Sequence, residues 1–178
     1  MGLRAFGVAV LTATGALWLM SGTQREHSLL AEVAPQHVRG LEAAAAAHPD
    51  DPGALVSLAQ AYLEARQPGL AVALIEGAPV HVRADVRVRH VFSRALVDEG
   101  RNDEALAVEE GVVAACRPIA EGVAAPTGCD PVLLAVAIRR AGILGELVSL
   151  GVEDAQANPE EARIAYQNAT REARVMVQ

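Results

Sequence analysis

Five side chains able to carry positive charge fall between residues 83 and 94 of an acidic chain: Arg83, Arg87, Arg89, His90 and Arg94. The segment around them reads as a helix, and Arg87, His90 and Arg94 stand at i, i+3 and i+7, which places them on one face. Such a stripe suits a carboxylate or an acidic peptide, because guanidinium groups offer paired, charge-assisted hydrogen bonds. The same arginines have Asp85, Asp98, Glu99 and Glu104 as neighbours. The alternative is therefore a solvated face whose charges pair internally.

Other candidate chemistry is sparse. His27, His37, His48, His81 and His90 never stand at the i, i+4 spacing that puts two metal ligands on one helix face, and no H-E-x-x-H string occurs. A nucleophile elbow, a phosphate-binding loop and a dinucleotide fingerprint are all missing from the sequence, so hydrolase, nucleotide-binding and dehydrogenase readings lack support. We expect no enzymatic activity, no cofactor and no metal. Cys116 and Cys129 are too few for a disulfide scaffold and lack zinc-site spacing. They enclose CRPIAEGVAAPTGC, which reads as a loop that one bridge could close in an oxidising compartment; two lone buried cysteines are the alternative. The triplet Asn168-Ala169-Thr170 matches a glycosylation acceptor but falls in an expected helix.

These side chains need a scaffold, and the composition limits its type. Of 178 residues 52% are apolar but only 3% aromatic, so the core must be built of Ala, Val and Leu, which favours close helix packing and an all-α fold. A net charge of −7 argues against nucleic acid as a partner. Every basic residue is Arg, as a GC-rich genome would produce.

The chain opens with a basic residue, Arg4, and an uncharged run, AFGVAVLTATGALWLM, at residues 5–20. This is the layout of a signal peptide or a short membrane anchor. With its uncharged neighbours the run just reaches the roughly 17 to 25 residues that a spanning helix needs. A small-residue cleavage site is weak here, since only Ser21 and Thr23 offer the spacing, so an uncleaved anchor is the preferred expectation.

Shifting the chain by 34 residues superposes Leu58 on Phe92, Ala59 on Ser93, Tyr62 on Leu96 and Ala71 on Ala105. With Leu55, Ala78 and the turn EGRNDEALA, this pattern resembles the tetratricopeptide repeat (TPR), a helix-turn-helix unit that stacks on its neighbours. Gly100 would take the left-handed turn position and Asn102 or Asp103 would cap the following helix. Upstream, RGLEAAAAAHPDDP resembles a half-unit ending near Pro49; downstream, Asp130-Pro131 opens another helix whose pattern Gly142, Gly145 and Gly151 should interrupt. Leu55, Leu58, Tyr62, Leu70, Leu74, Phe92 and Leu96 are expected in the core.

The uncharged run marks a segment 1–24 that is a signal peptide or anchor, and the resemblance implies a linker and capping helix over 25–50 and a TPR-like helical domain over 51–178. It also implies that the first helix of each unit lines a groove, bringing Gln60 and Glu64 beside Arg87, His90 and Arg94. The expected role is a non-catalytic interaction or scaffold module on the periplasmic side of a bacterial inner membrane, or free in the periplasm after cleavage. Its expected partner is a segment of another envelope protein, of acidic character. The alternative role is an integral structural subunit of a larger membrane-associated complex, with no peptide in the groove.

Overall fold

The computed structural model describes residues 36–155 and 157–175, and every element among them is helical. The chain divides into two compact units, Met1–Gly40 and Leu41–Gln178. Of the first, residues 36–40 are described and are helical. The hydrophobic run at residues 5–20 lies outside the described residues. Among those described, no helix is long and apolar enough to cross a membrane.

The helices are α1 (36–47), α2 (Pro52–Glu64), α3 (Pro68–Glu76), the single turn α4 (Val80–Arg83), α5 (Val86–Asp98), α6 (Asn102–Cys116), α7 (Pro131–Ser149) and α8 (Pro159–Val175). A 3-10 turn, Arg117–Glu121, follows α6. Three helix starts use the same device. Asp51, Asp85 and Asp130 sit before α2, α5 and α7 in extended backbone and accept hydrogen bonds from Gly53, from Arg87, and from Val132 and Leu133 respectively. Each satisfies an amide that the first turn leaves without a helical partner.

The 34-residue echo in the sequence is an echo in the backbone. Both α2 and α5 have 13 residues and begin 34 positions apart, at 52 and 86; α3 and α6 also begin 34 apart, at 68 and 102. The turns between them match too, with Arg66 (φ 58°) and Gly100 (φ 76°) in the left-handed region. The second helices differ in length. Pro79 has no amide hydrogen and its ring would collide with the preceding helical turn, so α3 stops after 9 residues where α6 runs for 15.

The stack is held by small residues at the crossings. Ala59, Ala71, Ala95, Ala105, Ala137 and Ala165 have no exposed surface, so neighbouring backbones approach closely, and Leu55, Leu63, Ile75, Val88, Leu96 and Leu144 fill the space between. Contacts run α2 to α3, both to α5, α5 to α6, α6 to α7 and α7 to α8. Tyr62 donates its hydroxyl hydrogen to Glu42 at 2.8 Å, joining α2 to the preceding helical residues of the same unit.

Three expectations need correction. Leu70 is 49% exposed, because α3 turns Ala71, Val72 and Ile75 inward and leaves Leu70 on its outer flank. Gly142 and Gly145 do not interrupt α7, which continues to Ser149; a β-carbon at 142 would lie 3.7 Å from that of Ala169, so this glycine sits where α8 crosses. Only Gly151, at φ 67°, marks the stop. Finally, Asn102 does not cap α6. It is the first helical residue, buried, and its Nδ2 donates to the carbonyls of Val152 (2.6 Å) and Glu153 (3.0 Å).

Candidate functional site

The basic cluster of the sequence is divided among five environments. Arg83 belongs to α4, outside the helix that carries the others. Arg87 folds back on the cap of its own helix, with Nε and Nη2 at 3.2 and 3.1 Å from the two oxygens of Asp85. Burial alone would raise the Asp85 carboxyl, but the hydrogen bonds and charge of Arg87 outweigh it and hold the group below its ordinary value. Arg89 crosses to α6, where a β-carbon at Gly111 would fall 1.9 Å from its Nη2. The glycine is the room the guanidinium occupies.

His90 points inward. Its Nδ1 is 2.7 Å from Oε1 of Glu109, and the histidine side chain is 17% exposed against 0% for the glutamate. Arg140 of α7 completes this junction by donating from Nη1 to the His90 carbonyl at 3.1 Å. Thus α5, α6 and α7 are tied together by polar side chains behind the surface. Glu109 carries a second oxygen that is buried without a hydrogen-bond partner among the described residues, leaving it acceptor capacity facing the same junction.

Arg94 is the one member of the expected stripe that is exposed and free of an ion pair among the described residues. It borders a groove of about 370 Å³ between α5 and α7, whose walls include Val97, Val136, Ile143 and Leu147 and whose other cations are Arg139 and Arg140. Arg139 donates to the hydroxyl of Tyr166 in α8, and its guanidinium carbon lies 5.4 Å from the centre of that ring. Burial lowers the affinity of Arg140 for its proton; the like charge of Arg94 adds to this, while Glu109 and Asp98 oppose it.

Gln60 and Glu64 are exposed on α2 and stand outside the lining of this groove, as do the side chains of Arg87 and His90. The groove is therefore one helix pair further along the chain than the sequence suggested. Its missed residues carried a signal: Arg139-Arg140 is a charged pair set inside the apolar run VLLAVAIRRAGIL.

Cys116 and Cys129 are bonded, with sulfurs 2.00 Å apart and α-carbons 5.4 Å apart. The bridge sits in a second, smaller core with Val86, Val112, Leu134 and Ala137, and it fastens the end of α6 to the approach to α7. Gly128 in the closed loop has φ 93° and packs against Val86 and Arg87, so the loop also buttresses the start of α5. Asn168 donates to Glu146 at 2.8 Å across the α7–α8 contact, a structural use of the amide.

Among the described residues no group of three or more His, Cys, Asp or Glu is placed to hold a metal ion. Comparison of the chain with protein-family models, with curated proteins and with solved structures gives no match.

Proposed function

We propose that the protein is a non-catalytic interaction module of the TPR type, which holds an acidic segment of a partner protein in the groove between α5 and α7. The observation that carries this reading is the pairing of cations with an apolar wall. Arg94 and Arg140 share one lining with Arg139, and neither Arg94 nor Arg140 has a carboxylate within 4.0 Å among the described residues, the charges of Glu109 and Asp98 reaching Arg140 only from farther off. A carboxylate from outside would give these guanidinium groups a direct partner, while Val136 and Ile143 would receive an adjacent apolar side chain.

The TPR assignment is supported by helix pairs that repeat at 34 residues and by the small residues Ala59, Ser93, Ala71 and Ala105 buried at matching positions. The periplasmic location, with the chain tethered by residues 1–24 or released after cleavage, rests on the uncharged run and on a disulfide that suits an oxidising compartment. A second reading, a permanent subunit of a larger complex, is favoured by Val132 and Ile138, which are 73% and 54% exposed on α7.

Screening the full chain against an array of short peptides tests the proposal. Peptides with Asp or Glu beside a branched apolar residue should be retained, and Arg94→Glu should lose them. Retention of basic or neutral peptides instead, or of none, would refute it.

A further inference from the structure

The opposite side of α7 carries a different surface. Leu134, Ile138 and Ala141 point away from the Val136–Arg140–Ile143 side by helical geometry, and with Val113, Ala114 and Ala120 they line a groove of about 650 Å³ between α6 and α7. Charge enters this lining only at Glu110 and Arg117. Both are exposed, and neither has an ion-pair partner among the described residues. They stand seven positions apart, Glu110 on α6 and Arg117 at the start of the 3-10 turn that follows it, about 10 Å along the helix axis, with the apolar strip between them.

We propose that this α6–α7 face binds a second copy of the same chain about a two-fold axis. The charge arrangement selects that occupant. In an isologous contact each patch meets itself reversed, so Glu110 of one copy comes opposite Arg117 of the other, twice, around a centre made by Ile138 and Ala114. A surface with its acid at one end and its base at the other is complementary to its own two-fold image. A uniformly acidic or basic partner segment would satisfy one end and be repelled at the other. The wall that bears Arg117 and Ala120 is the 3-10 turn directly after Cys116, and the Cys116–Cys129 bond anchors it. The face is thus held in shape before any partner arrives, which lowers the ordering cost of association.

The test is sedimentation of the full chain in nonionic detergent across a concentration series. The parent chain is expected to sediment as a dimer. Ile138→Asp should be monomeric, since it places a charge at the centre of the contact. Arg117→Glu should weaken the dimer about tenfold by bringing like charges together, and Glu110→Arg combined with Arg117→Glu should restore it. A monomeric parent chain, a dimer indifferent to Ile138→Asp and Arg117→Glu, or a double exchange that fails to restore association would each overturn the proposal. Should Ile138→Asp fail to fold, the exposed charge pair decides alone. Peptide retention by the α5–α7 groove should survive in the monomeric variants, so this inference and the proposed function fail separately.

Discussion

Nδ1 of His90 lies 2.7 Å from Oε1 of Glu109, a carboxylate with no exposed surface. The contact joins α5 to α6, and the Arg140 hydrogen bond to the His90 carbonyl extends it to α7. His90 thereby acts as a structural tie, where a position three residues from Arg87 and four from Arg94 suggested a ligand-facing stripe.

Removing the acid should reveal this. Glu109→Ala leaves the imidazole without its hydrogen-bond partner inside the α5–α6 contact, and the expected loss is about 2 kcal/mol. Glu109→Gln, which keeps an acceptor for His90, should lose clearly less. Urea unfolding of both variants measures the difference.

Asp85 gives stability a pH signature. Its folded carboxyl lies below its ordinary value of 3.8, so its contribution is fully present above that value and is lost as pH falls through the folded one. Asp85→Ala should cost about 1 kcal/mol at neutral pH through the lost cap. The gap between parent and variant melting curves should narrow below pH 3.8.

How much of this was legible in the sequence follows from which residues act locally. The helix start at Asp130, the left-handed turn at Gly100 and the 34-residue offset of Ala59 with Ser93 depend on neighbours in sequence, and the pattern carried them, whereas the break at Asp85 that leaves Arg83 outside α5 went unread. Leu70 was misplaced because the short α3 has too few turns to define its inner face. Asn102 was misread as a cap because its true partners, Val152 and Glu153, are some 50 residues away. Glu109 went unnoticed for the same reason: its partner His90 lies 19 positions away. The α5–α7 groove required two helices whose spacing departs from the 34-residue repeat, since Asp85 and Asp130 are 45 apart.

The Asn102 contacts carry their own prediction. Asn102→Ala frees the carbonyls of Val152 and Glu153 in the turn after α7, and we expect a loss of about 2 kcal/mol. Hydrogen exchange of the amides near residues 150–155 should accelerate more than exchange in α2.

Cys116 and Cys129 are 13 positions apart. For a loop of that length the chain-entropy account gives a contribution of about 3 kcal/mol. Reductant should lower the melting temperature of the parent chain and leave the Cys116→Ser/Cys129→Ser variant unmoved. Alkylation before reduction should detect no free thiol in the purified parent chain.

The central claim is that Arg94 faces a partner while Arg87 serves the fold. Charge reversal separates the two, because Arg87→Glu places a second acid beside Asp85 at the start of α5, whereas Arg94 is exposed and unpaired among the described residues. The most direct measurement is the affinity of an array-selected acidic peptide for the parent chain and for Arg94→Glu, with thermal unfolding recorded on the same samples. The account predicts a melting temperature within the scatter expected of a surface change, under about 0.5 kcal/mol, together with loss of binding and a parent affinity that falls as salt rises. Unchanged affinity in a folded Arg94→Glu chain would contradict it, and so would unfolding of that variant.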